Sequence, residues 1–313
     1  MTRFLKVFLR ESLDGRIHLA AFGKHPAWDD HIDDLGLNTD SLVLTKKLIY
    51  SQGIASQLAS GAWDQIERSG NAIEFNHRFC WSRQNQSIAG AVWASTDRKG
   101  RTRFPMVVCG QIGVDGPKAI DLLLSPIDEL GTLSKSVKTQ DEFRELYNQV
   151  REKLYRGAVQ PSTDRPAFEL TESEQNSVLP SLVAISAGIR ARQNRVTNGS
   201  HFRLISKLSR TRDTLCLWIA YLTARGLPSA PPFLAIAING KNWVDLIIGE
   251  PVEKDFFCLR ANETALPPTW IPVAETDRGK LESAARVCLE ECRHGQTSPT
   301  TKNRSWWASL FGR

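Results

Sequence analysis

The chain has 313 residues, 41% of them hydrophobic and 24% charged, with a net charge of +6 at pH 7. That length holds one large domain or two ordinary ones, and the composition supports an apolar core, so folding calls for neither a disulfide framework nor a metal. A pI near 9.0 is too mild to single out a nucleic-acid binder, and no apolar run approaches the roughly 18 residues that span a bilayer.

The opening "MTRFLKVFLRESLDGR" breaks its apolar positions with Lys6 and has no A-x-A cleavage site. No signal peptide is expected, and the cytoplasm is the default location. A first strand is predicted over 16–23, followed by a loop that enters a short helical turn. Residues 41–61 follow a helical period: Leu44, Leu48, Ile54 and Leu58 can share a face, Gly53 weakens the middle and Gly61 suits a stop. The period then changes to two. The runs 72–81, 87–95 and 103–112 predict three strands with short gaps, an antiparallel meander rather than βαβ units. Between the last two, "TDRKGRT" (96–102) predicts a hairpin turn in which Asp97 accepts backbone N–H bonds and Gly100 supplies positive φ. Pro105 is expected just inside a strand, where its missing donor predicts an edge or a bulge.

Two helices follow: "PKAIDLLLSPIDELGTL", interrupted at Pro126, and 139–155, whose stripe is Phe143, Leu146, Tyr147, Val150 and Leu154. Thr139 and Glu142 give the second a capping box. The turn-rich "RGAVQPSTDRP" (156–166) divides the chain into expected domains at 1–155 and 166–293. The second holds a helix over 173–192, started or kinked at Pro180, then the segment 201–209 and a helix around 213–226. A hairpin turning at Asn239-Gly240 comes next, then a strand at "FFCLRA" and a last helix over 277–293. The fold class is α/β of the α+β kind, an antiparallel sheet flanked by helices with a smaller α/β C-terminal domain. Residues 294–313 read as a flexible tail whose Trp306, Trp307, Leu310 and Phe311 could dock in a partner's groove or on a membrane surface.

Common chemical signatures are absent: no P-loop, G-x-S-x-G elbow, H-E-x-x-H, paired C-x-x-C or dinucleotide-binding glycine fingerprint. The six cysteines, at 80, 109, 216, 258, 288 and 292, are scattered, and three fall in expected strands as small apolar residues. Cys288 and Cys292, near His294, read as ordinary helix cysteines, since structural zinc takes four ligands. His77 reads as a sheet or core histidine. Residues 22–36, "FGKHPAWDDHIDDLG", are the concentration that remains. His25, Asp29, His31 and Asp33 could offer N and O ligands to a divalent metal, or a His/Asp general base. His25 and Asp29, Asp29 and Asp33, and Asp30 and Asp34 are each four apart, and such pairs meet only on a helix. Pro26 suits a helix's first turn, and Asp29 and Asp30 suit its positive end, so capping and an acidic contact surface account for much of the cluster. From Gly188 to Arg212 there are seven basic residues (Arg190, Arg192, Arg195, Arg203, Lys207, Arg210 and Arg212) and no acidic one. Beside the acidic opening motif, this asymmetry suggests two faces with different electrostatic preferences; the alternative is a solvated helix end and a strand edge.

Three stretches together resemble the TagF (ImpM) family, accessory proteins of bacterial type VI secretion. In "FGKHPAWDDHIDD", Gly23, Lys24, Pro26 and Asp29 or Asp30 are similar to the family's glycine-lysine-x-proline motif and the aspartate after it. In "STDRKGRTRFPMVV", Ser95, Asp97, Gly100, Arg101, Phe104 and Pro105 are similar to its serine-x-aspartate-x-x-glycine-arginine turn and following phenylalanine-proline. "TLCLWIAYLTARGLP" is a weaker third match. The chain departs at Trp28-Asp29-Asp30-His31, where the family commonly has glycine-aspartate-phenylalanine, and it carries extensions at both ends.

The resemblance implies an α/β sandwich related to longin-like or profilin-like modules, with no catalytic residues and no cofactor. It implies restraint of type VI secretion by binding a forkhead-associated scaffold protein, in a pathway with a threonine kinase and phosphatase. The expected contact surface is Lys24, His25, Pro26, Trp28, Asp29 and Asp30 with Asp97, Gly100 and Arg101. A pair between Arg101 and Asp29 or Asp30 would join the two motifs. The alternatives are a metal-dependent hydrolase built on His25, Asp29, His31 and Asp33, and a scaffold for a small GTPase. No nucleic-acid partner is expected.

Overall fold

The structure, a computed structural model, describes residues 17–83, 86–159, 170–192, 199–224 and 232–293. The strands are β1 (His18–Gly23), β2 (Asn76–Arg83), β3 (Gln86–Trp93), β4 (Met106–Ile112), β5 (Ser200–Ile205), β6 (Phe233–Ile238) and β7 (Trp243–Ile248), of which β4, β6 and β7 are the richest in Val and Ile. They form a seven-stranded antiparallel sheet in the order β1-β4-β3-β2-β6-β7-β5. Every residue of β4, β6 and β7 is buried, because both faces of the sheet are covered.

Leu19, Ala21, Ala91, Val108, Ala235 and Leu246 face a helical layer of α4 (Gly116–Leu133), α5 (Gln140–Val159), α6 (Glu172–Arg192), α7 (Thr211–Ala224) and α8 (Glu275–Arg293). Ala20, Phe22, Phe79, Trp81, Ile236 and Ile247 face the other layer. It holds α1 (Asp40–Thr45), a π-helical stretch Lys46–Ile54, α2 (Ala55–Ala59), α3 (Ala62–Arg68) and a 3₁₀ segment Glu253–Leu259.

The expected meander β2-β3-β4 and the β6–β7 hairpin are present, with Gly240 at φ 75° in the turn. The Thr139–Glu142 capping box forms with both bonds in place. Strands from either side of the expected boundary at 156–166 share the one sheet, joined by β2 and β6 in register from His77↔Ile238 to Ser82↔Phe233.

Several local expectations are corrected. Pro126 does not interrupt its helix. Ile120, Leu123, Leu124, Ile127 and Leu130 are buried on both sides of it, and that continuous stripe outweighs the lost backbone bond. Pro180 lies inside α6, so it does not start that helix. The run "FFCLRA" is no strand: Asp255 accepts the Val252 amide at 2.8 Å, which caps a 3₁₀ turn that sends Phe256, Cys258 and Leu259 into the second layer. Pro105 stands one residue ahead of a ladder that begins at Met106, and β4 lies between β1 and β3 rather than at an edge. The helix over 41–61 passes through a π-helical stretch, where a Cβ on Gly53 would meet the Phe256 ring at 2.6 Å.

The basic window forms no single face among the described residues. Arg203 is buried on β5 against Asp245, Arg210 pairs with Asp213, and Arg212 pairs with Asp121. The side chains of Arg190 and Arg192, Arg195, and the tail with Trp306, Trp307, Leu310 and Phe311 lie outside the described residues. Cys80, Cys109, Cys216, Cys258 and Cys288 are buried; His294 and the Cys292 side chain also lie outside the described residues. Among the described residues no helix is long and apolar enough to cross a membrane.

Candidate functional site

β1 ends at Gly23 with φ 115°, a conformation that side-chain-bearing residues rarely adopt. A Cβ there would stand 2.3 Å from the Pro105 carbonyl oxygen, which accepts the Lys24 amide at 3.2 Å. The glycine of the first motif and the proline of the second are thus in direct contact. Gly23→Ala should lower stability by about 2 kcal/mol, measured by chemical denaturation.

Lys24 turns inward and is 3% exposed. Its Nζ donates to Asp97 Oδ2 at 2.5 Å and lies 3.3 Å from Asp30 Oδ1. Asp97 is 2% exposed and organises the β3–β4 turn. Its Oδ1 accepts the Lys99 and Arg101 amides, both at 3.0 Å, and its Oδ2 also accepts Arg101 Nε at 2.6 Å. Gly100 closes the turn at φ 75°. Burial alone would favour the protonated acid, but the hydrogen bonds from Lys24 and Arg101 outweigh it and hold the carboxyl well below the usual carboxylate range.

Arg101 continues outward. Its Nη2 donates to the Asp29 carbonyl at 2.8 Å and lies 3.1 Å from Asp30 Oδ1, so the expected pairing between the motifs is present through Asp30. Arg98 adds a second tie: its Nη2 donates to the Ala27 carbonyl at 2.6 Å and its Nη1 is 3.5 Å from Asp29 Oδ1. The hydrogen bond from Lys24 depresses the Asp30 pKa.

His25 also points inward, at 2% exposure. Its Nε2 donates to the Ser134 carbonyl at 2.9 Å, and its Nδ1 accepts the Ala27 amide at 3.2 Å. That pattern is the neutral tautomer, and burial lowers its pKa. The ring packs 4.5 Å from Phe143 and 5.7 Å from Trp28, centroid to centroid. Pro26 occupies the corner of a turn in which the Trp28 amide donates to the His25 carbonyl at 3.0 Å. The expected helical turn is therefore replaced by a β-turn and a loop, closed by a bridge between Lys24 and His31. Without a helix, the aspartates spaced at four do not stack.

The structure does not gather His25, Asp29, His31 and Asp33. Both His25 nitrogens are bonded to the main chain, Asp29 faces Arg98, and Asp33 pairs with Arg144 at 2.7 Å. His31 Nδ1 lies 3.0 Å from Asp30, and its ring meets Phe104 and Tyr50 edge-on. Asp34 pairs with Lys46 at 2.5 Å. Each of these aspartates has a cationic neighbour, so the acidic stretch carries a mixed-charge surface. Among the described residues, the metal-ligand types that do converge are His201, Asp245 and Cys258. There Arg203 already donates to both Asp245 oxygens.

Sequence reasoning did not place Phe143, Ser134, Arg144 and Tyr50 at this site, to which the fold brings them from distant elements. It also missed that Arg203 is buried together with His201 and Asp245. A signal for Asp245 exists: one acid within "WVDLIIG" demands a buried cationic partner if that run is a central strand.

No family model and no curated protein matches the chain. Among solved structures, that of PA0076 from Pseudomonas aeruginosa PAO1 aligns at 13% identity and a TM-score of 0.42, covering 82% of this chain and 100% of that one.

Proposed function

We propose that the protein is a non-enzymatic, cytoplasmic interaction module that regulates a type VI secretion-like assembly, as the resemblance of its motifs to the TagF family implies. The observation that supports this reading is the division of labour within the motifs. Gly23, Lys24, Asp97 and Pro105 hold the two segments together from inside. Asp29, Asp30, Arg98 and Arg101 stand on that rigid base with their charged ends in solvent. A fixed array of both signs suits recognition of a complementary protein surface, where charge sets partner choice and approach. His25 takes no proton-transfer role in this reading, since its ring nitrogens serve the main chain.

The partner implied is a forkhead-associated scaffold protein of the same secretion system. Calorimetric titration of that purified scaffold into the full chain is expected to show binding. Asp29→Arg, an exposed substitution that leaves Lys24 and Asp97 in place, should weaken it about tenfold and reduce its salt dependence. Absence of binding by the unsubstituted protein, or indifference to Asp29→Arg, would overturn the assignment of this surface.

A further inference from the structure

The two edges of the sheet are β1 and β5, and the candidate site lies at the β1 edge. Residues 266–273 wrap around the other edge. Leu266 packs into the second layer, while Ile271 and Val273 pack against the helical layer. Between them Thr269 pairs with β5: its amide donates to the Arg203 carbonyl at 2.7 Å, and its Oγ1 accepts the Arg203 amide at 2.9 Å. The alternate positions, Pro268, Trp270 and Pro272, face solvent. Trp270 is 82% exposed, against 49% for Val43, the next most exposed large apolar residue among those described.

An indole left in water is unfavourable, and this one stands on an unusually fixed base. The Arg203 guanidinium beneath the strap is fully buried and donates to the carbonyls of Cys258, Ala261, Asn262 and Leu266. Prolines flank the tryptophan, so little ordering remains to be done when it is covered. Rigidly held tryptophans are the residue type that most often dominates protein interfaces. Residues 264–274 carry no charge; exposed Glu263 precedes them, and exposed Glu275, which also accepts from Arg278 at 3.1 Å, follows.

We infer that Trp270 anchors a second docking surface, for a protein partner that offers an apolar slot bordered by lysine or arginine. The slot takes the indole between its flanking prolines, and the basic rim meets Glu263 and Glu275. This surface is six strand spacings from the β1 edge, about 29 Å, so both partners can be held at once and the chain acts as an adaptor between them.

The test places a photo-crosslinking amino acid at position 270 of the full chain in the source cells, with a control at Val287, which is 43% exposed on α8. The protein joined at 270 and not at 287 is purified and titrated against the unsubstituted chain, Trp270→Ala and Trp270→Phe. The expected result is at least a tenfold loss with alanine, a smaller loss with phenylalanine, weakening by salt, and unchanged thermal unfolding of both variants. Asp29→Arg should leave this binding intact, which separates it from the proposal for the β1 edge. No adduct specific to 270, an adduct only with another copy of this chain, or binding indifferent to Trp270→Ala would each overturn the inference.

Discussion

Arg203→Met should lower the free energy of unfolding by roughly 3–5 kcal/mol, measured as a shift in the denaturant midpoint. Arg203 and Asp245 have no exposed side-chain surface. Nε and Nη2 of the arginine donate to the two carboxylate oxygens at 2.9 and 2.8 Å. Its Nη1 donates to the Ala261 carbonyl at 2.8 Å, and its guanidinium lies 5.0 Å from the Trp243 ring centroid. Removing the arginine leaves a buried carboxylate with His201 as its remaining side-chain donor among the described residues, at 2.9 Å, and strips the carbonyls of Cys258, Ala261, Asn262 and Leu266 of a donor. The double variant Arg203→Met with Asp245→Leu should recover a large part of the loss, because an apolar pair can replace a buried ion pair at little net cost. Arg203→Met alone should also open 260–270 to limited proteolysis. If the single variant unfolds at the wild-type midpoint, the clamp is not what holds the strap.

Lys24→Met should cost about 3 kcal/mol, at the lower end for a broken buried pair because Arg101 and two backbone amides still serve Asp97. It should also change how stability depends on pH. Asp97 is a carboxyl whose folded-state pKa is depressed: burial opposes the shift, and Lys24 followed by Arg101 drives it. Such a group contributes its stability above its unfolded value of about 3.9 and loses it as pH falls below that toward the folded value. The wild type should therefore lose stability over that acid range, and Lys24→Met should lose less, having less of a shift to forfeit. Denaturation at matched pH values below 5 measures both; parallel curves for the two proteins would reject a role for the lysine in holding the ionised form.

The strands and helices with strong periodicity were legible in the sequence. The β2–β4 meander and the Asn239-Gly240 hairpin declare themselves, because turn chemistry and alternation are local properties. The pairing of β2 with β6 is not local. Phe79 and Ile236 are neighbours in the sheet, yet nothing in either run names the other. Pro126 misled for a related reason: the penalty is local, while the compensating burial depends on the whole sheet beneath α4. At the candidate site, residue identities were legible and side-chain directions were not. His25 points inward because Ser134 and Phe143 arrive from the α4–α5 junction to meet it. The aspartates look like a ligand set in sequence because the cations that neutralise them, at 46, 98, 101 and 144, are scattered along the chain.

The β2–β6 seam bears on how the chain is made. The strands β1 to β4 are complete once residue 112 has left the ribosome, but the outer edge of β2 waits for residues 233–238. Until then Phe79 and Trp81 border an open row of backbone donors and acceptors, the kind of edge on which chains associate wrongly. A nascent or prematurely ended chain is thus a natural client for a chaperone. Production of the first half by itself is expected to give aggregates where the full chain gives a folded protein.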